Sequence, residues 1–141
     1  MRACSSFTKK IMILFMAVSV LMLTSCKTGK ITEDKVKDID YTVVTDADIP
    51  DTLRNAIEEK KEESFKLSYS DGEALYIAVG YGRQQSGGYS ITVDDLYLTS
   101  NNIVFATTLN GPGKEASGTD TPSYPYLIVK TEYMDCEIVY E

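Results

Sequence analysis

The sequence predicts an α+β domain: a mainly antiparallel β-sheet of six to seven short strands, sandwich-like or a single curled sheet, with one N-terminal helix. Three observations carry this reading. One segment of helical period, residues 48–61, precedes every segment of period two. From Phe65 onward apolar and polar residues alternate in short runs, and Gly, Pro, Asn and Asp punctuate those runs with no further helical pattern. No strand–helix alternation follows residue 64, which argues against a parallel sheet, and no internal repeat is visible.

The chain opens on a leader. Arg2, Lys9 and Lys10 give a positive start, Ile11 to Leu23 give thirteen residues of apolar run, and Leu23-Thr24-Ser25-Cys26 closes it as a lipoprotein cleavage box. Thirteen residues fall short of the roughly 20 that span a hydrocarbon core. The expected product begins at a lipidated Cys26, held to the cell membrane or outer envelope and facing outside the cytoplasm. Residues 1–25 are then the signal peptide, 26–38 a flexible tether of polar composition, and 39–141 the domain.

Asp40 to Thr45 is the first strand candidate. A helix follows, with Asp48 before Ile49-Pro50, Leu53, Ala56 and Ile57 at helical spacing, and Lys60-Lys61 where the dipole favours cations. The acidic run Glu58, Glu59, Glu62 and Glu63 reads as a solvated helix face. Phe65, Leu67 and Tyr69 then alternate, Ala74 to Val79 is the next strand, and Ser70-Asp71-Gly72 joins them. A three-residue loop with left-handed Gly72 would align Leu67 with Leu75 and Phe65 with Ile77, keeping apolar faces together.

Tyr89, Ile91 and Val93 alternate on one phase and Leu96 and Leu98 on the other, which predicts a β-bulge at Asp94-Asp95. A tight turn at Asn101-Asn102 would lead into Ile103 to Leu109 and pair Leu98 with Phe105. Asn110 to Ser123 is a loop rich in Gly and Pro. Tyr126 to Thr131, begun at Pro125, and Glu137 to Tyr140 complete the strands, and Cys136 reads as a buried position beside the last of them.

Charge and composition exclude several functions. The whole chain carries −7, and removing the three basic residues of the leader leaves −10, so phosphate backbones are repelled and nucleic acid is not an expected partner. There is no histidine, which removes histidine-based triads and the usual base for the thiol of Cys136. Zinc sites lose their ligands for the same reason. Gly111-Pro112-Gly113-Lys114 lacks the spacing and hydroxyl of a phosphate loop, and Gly80-Tyr81-Gly82 lacks the third glycine of a dinucleotide site, where Gln85 stands. Asp94 and Asp95 are adjacent on a strand and point to opposite faces unless the bulge re-aims one. No catalytic residue, metal or cofactor is expected, and the chain reads as a non-enzyme.

What remains is Arg83-Gln84-Gln85-Ser86-Gly87-Gly88-Tyr89, a polar glycine turn handing an aromatic to a strand. It reads either as an ordinary loop whose tyrosine caps the core or as a contact surface. Together, the strand Leu75 to Val79, the turn Ser86-Gly87-Gly88-Tyr89 with Ser90-Ile91-Thr92-Val93, and Ser123-Tyr124-Pro125-Tyr126 resemble the PrcB C-terminal domain family over roughly residues 64–131. That family's turn usually reads Thr-Gly-Gly-Tyr, and Ser86 keeps the hydroxyl.

The family is named for a lipoprotein subunit of a bacterial surface protease complex. The resemblance therefore implies a membrane-anchored, non-catalytic subunit that associates with or stabilises an extracytoplasmic protease, or another envelope protein. It supplies no catalytic residues. A partner surface is expected at Gln84, Gln85, Ser86, Gly87, Gly88 and Tyr89 with the 110–123 loop and Tyr124 and Tyr126. The alternatives are a small proteinase inhibitor, whose loops resemble residues 85–89, and an envelope or ligand-binding lipoprotein.

Overall fold

In a computed structural model, residues 34–114 and 120–141 are described. The leader, Cys26, most of the tether and Gly118 lie outside the described residues. The elements follow as β1 (Lys37–Asp38), β2 (Thr42–Val43), α1 (Asp51–Lys60), β3 (Ser64–Ser70), β4 (Ala74–Tyr81), β5 (Ser90–Leu98), β6 (Asn102–Asn110), β7 (Tyr126–Glu132) and β8 (Glu137–Tyr140). They build two four-stranded sheets, ordered β1-β5-β6-β8 and β2-β7-β4-β3. The sandwich is the form adopted. Among the described residues the strands number eight, because Lys37 and Asp38, read as tether, pair with Leu98 and Tyr97. Two paired residues carry no periodicity, so composition alone assigns them to the tether. Ile39 follows, buried between the sheets as the chain crosses from one to the other.

β4 is the hub. Leu75, Ile77 and Val79 on one face meet Leu96, Ile103 and Phe105 of the opposing sheet, while Ala74, Tyr76 and Ala78 on the other meet Leu53 and Ile57 of α1. The result is three layers, helix on sheet on sheet. Leu53 and Ile57 are each 2% exposed, and burying such a side chain contributes about 1.5–3 kcal/mol. The helix begins one residue after Pro50, not at it, and the Asp48 carboxylate accepts a hydrogen bond from Thr45 Oγ1 at 2.7 Å within a short 3₁₀ turn over Asp46–Asp48. Arg54 ties that turn to the helix by donating to the Asp46 carbonyl at 2.6 Å. Glu58, Glu59, Glu62 and Glu63 are all exposed.

Three register expectations meet different outcomes. The bulge lies between Val93 and Asp95, as the phase change predicts. The β3–β4 hairpin pairs Leu67 with Ala78 and Phe65 with Gly80, so Leu67 and Phe65 face α1, not the inter-sheet core. β4 is apolar on both faces, so either parity joins apolar to apolar, and the turn decides. The Asp71 carboxylate accepts from the backbone N–H groups of Glu73 and Ala74 at 3.0 and 2.8 Å, which sets a longer loop with Gly72 at φ 94°. The β5–β6 hairpin pairs Leu98 with Ile103 and Leu96 with Phe105, a shift of two that leaves the faces unchanged. Its turn is held by the Thr99 hydroxyl, which accepts from Asn102 N–H at 2.9 Å.

β8 returns parallel to β6, the one parallel pair among the described strands. Cys136, a free thiol, sits half-buried against the inter-sheet core just before it. At the side where β3 and β8 are the outer strands, Tyr140 joins the sheets. Its hydroxyl donates to the Leu67 carbonyl at 3.0 Å, and Lys66 Nζ stands 5.4 Å from its ring centroid. Burial pushes the Tyr140 phenol up to about 12. An unfolded tyrosine ionises near 10, so between about pH 10 and 12 the unfolded chain sheds a proton that the folded one keeps, and stability falls as pH rises. Tyr140→Phe is expected to cost about 1 kcal/mol near neutrality and to lose less stability than wild type across that alkaline window. Urea unfolding of both proteins at pH 8 and pH 11 reads the difference. A gap that does not change between the two pH values would overturn the assignment.

Candidate functional site

The strand ends at Tyr81, Ser90, Asn110 and Tyr126 lie together at one pole of the sandwich, and the two long connections meet there. Gln84 and Ser123 form an isolated antiparallel bridge, each backbone N–H donating to the other's carbonyl at 2.8 and 3.1 Å. The Ser123 hydroxyl donates to the Ser86 carbonyl at 2.7 Å, and Gln84 Nε2 donates to the Tyr81 carbonyl at 3.0 Å. Arg83 N–H donates to the Glu62 carbonyl at 3.1 Å, which joins the loop to the turn after α1. Residues 83–86 are therefore fixed at three points, and their apex is pre-shaped before any partner arrives.

Gly88 shows why a glycine stands there. Its φ is +84°, and a Cβ would lie 3.0 Å from the Pro112 Cβ, so a side chain meets both backbone strain and the neighbouring loop. Tyr89 lies beneath the same loop, its ring 3.6 Å from where a Gly111 Cβ would be. The tyrosine is half-buried and acts as a prop between the loops.

The sequence reading is thus partly redistributed. Gln84, Gln85, Ser86, Gly87, Gly88 and Tyr89 are brought together with residues 111–113 and with Ser123, and Arg83, Gln85 and Lys114 are the exposed long side chains of that end. Tyr124 stands beside the C-terminus of α1, with Lys61 Nζ 5.6 Å from its ring centroid. Tyr126 belongs to the helix-side core, and its hydroxyl donates to Asp46 Oδ1 at 2.9 Å. Burial, then that hydrogen bond, raises its pKa. Alternation along β7 turns it toward α1, which the aromatic-rich sequence around Pro125 does not disclose. Arg83 borders the glycine turn, but its link to Glu62 spans a helix-to-strand turn that spacing cannot reveal.

The pole offers backbone groups, hydroxyls and polar side chains as hydrogen-bonding groups. Asp94 and Asp95 have separate engagements: Asp94 Oδ2 accepts from the Thr108 hydroxyl at 2.5 Å, and Asp95 lies 3.7 Å from Lys35 Nζ. Among the described residues no group of three or more His, Cys, Asp or Glu is placed to hold a metal ion, and no helix is long and apolar enough to cross a membrane.

Fold and loop geometry define a small two-sheet α+β domain that presents one pole of interlocked loops. Residues 75–132 match the family model described as PrcB C-terminal, and over that segment the chain is similar to that family. The match runs from the second residue of β4 to the last of β7, so it takes in both loops of the pole and leaves out α1, β3 and β8. It begins later than the resemblance read from sequence. No curated protein and no solved structure matches the chain.

Proposed function

We propose that this protein is a lipid-anchored, non-catalytic subunit that uses the loop pole to bind and steady an extracytoplasmic protease. The observation that carries the reading is the family match, which covers both interlocked loops. A tether through Cys26 would keep the domain at the outer face of a membrane, and its acidic charge leaves attachment to the acyl chains. The fixed backbone at Gln84, Ser86 and Ser123 suits a contact surface, because little ordering is left to oppose association. Inhibition is a second reading, drawn from the same anchored loop, and dose-dependent loss of protease activity would separate it from stabilisation.

The test is capture from native membranes followed by mass spectrometry. A secreted or surface protease is expected among the partners. Gln85→Trp, at an exposed site that props nothing, is expected to weaken capture about tenfold without lowering the melting temperature. Unchanged capture by the folded variant would move the contact elsewhere, and absence of any protease would overturn the reading.

A further inference from the structure

We infer that the free edge of β3 is a docking site for an extended cationic peptide segment whose side chains alternate between apolar and basic. The inference is centred on a strand outside the family match and does not rest on the proposed protease partnership. Among the described strands that end a sheet, β1 and β2 have two residues each and β8 four, whereas β3 has seven. A long unpaired sheet edge is a ready template for another chain.

The direction of its backbone groups follows from its neighbours. Tyr81 N–H donates to the Pro125 carbonyl and Tyr133 N–H to the Glu73 carbonyl, so odd-numbered residues of β4 turn toward β7. The even-numbered ones then turn toward β3, where Tyr76, Ala78 and Gly80 face Tyr69, Leu67 and Phe65. This leaves the N–H and C=O groups of Ser64, Lys66, Ser68 and Ser70 pointing outward along the open edge. Three of those four residues are serines, so Lys66 is the one charge guarding it.

Grooves flank the edge on both faces and differ in chemistry. Toward the opposing sheet, a mostly apolar groove of about 470 Å³ has Val79, Tyr81, Thr107 and Tyr140 among its walls, with one charge of each sign, Lys66 and Glu141, also lining it. Toward the helix, one of about 500 Å³ is walled by three carboxylates, Glu59, Glu62 and Glu63, against the two lysines Lys60 and Lys66. The Lys66 ammonium also reaches the Tyr140 carbonyl at 3.5 Å, while Lys61 is engaged by Glu58 at 2.6 Å. Successive side chains of an added strand point to opposite faces, so one set would enter the apolar groove and the other would meet carboxylates. Basic residues suit the second set. A second copy of this chain would bring the same carboxylates against these and the same net charge of −7, so self-pairing is opposed.

The probes are two synthetic nine-residue peptides, one alternating lysine and valine, the other glutamate and valine, titrated into the full chain at low salt. The lysine peptide is expected to bind about tenfold more tightly than the glutamate one and to slow amide hydrogen exchange at Ser64, Lys66 and Ser68. Lys66→Pro deletes an outward N–H at an edge position where proline is tolerated, and is expected to weaken binding about tenfold relative to Lys66→Ala. Equal affinity for the two peptides, protection confined to other strands, or unaltered binding by a folded Lys66→Pro protein would each overturn the inference. The exchange map on the unaltered chain decides the matter should that variant fail to fold.

Discussion

Phe105→Ala is expected to lower the unfolding free energy by about 3–5 kcal/mol, the largest effect of any single truncation proposed for this domain. Phe105 is 1% exposed, stands on β6 in the middle of the inter-sheet core, and meets Tyr140 edge-on with ring centroids 6.1 Å apart. Its loss opens a cavity between two sheets whose spacing is set on one side by the Ile39 crossing and on the other by Tyr140. Neither can close in without breaking hydrogen bonds. A domain of this size is stable by about 5–15 kcal/mol, so the variant would melt roughly 15–25 °C lower. Phe105→Leu, which keeps most of the volume, should lose well under half as much. Calorimetry on both variants reads the ratio, and a loss below about 1 kcal/mol for alanine would mean that the sheets collapse freely onto the gap.

Gly80→Ala is the second large effect and has the opposite cause. The Phe65 ring lies across Gly80, and an added Cβ would stand 2.1 Å from Phe65 Cε1 and 2.5 Å from Cζ. Phe65 is 7% exposed and packed against α1, so moving the ring aside breaks its buried contacts with the helix-side core. Either the ring leaves its rotamer or β3 moves off β4, at about 1–3 kcal/mol. Removing the ring should relieve the clash, so Gly80→Ala made on a Phe65→Leu background is expected to cost little, and the double-mutant cycle should show coupling above about 1 kcal/mol. Additive effects would show that the ring is not what the methyl meets.

The legible parts of this fold are those where one physical signal sufficed. The phase change between Val93 and Leu96 requires one extra residue, and the bulge lies there. Leu53 and Ile57 at helical spacing mark the buried face of α1. The register of β3 on β4 was illegible because β4 is apolar on both faces and the deciding contacts are hydrogen bonds from Glu73 and Ala74 to the Asp71 side chain. The parallel return of β8 depends on which edge of β6 is vacant, a property of the assembled sheet. At the loop pole, the glycine turn and the 110–123 loop could be picked out by composition, but the Gln84–Ser123 bridge that unites them spans distant sequence. Tyr89 and Tyr126 read as contact residues because tyrosine is common at interfaces. In the fold both brace loops or core.

The N-terminal crossing has a consequence for geometry at a membrane. Val36 N–H bonds the Leu98 carbonyl, beside the β5–β6 turn, whereas the loop pole lies at the far ends of those strands. β5 runs nine residues between the two, about 30 Å at 3.3 Å per residue. Under the proposed anchoring, the tether would join the sandwich at the end opposite the interlocked loops, so its point of attachment and the loop pole would be separated by the length of the strands and a partner could reach the loops without meeting the tether.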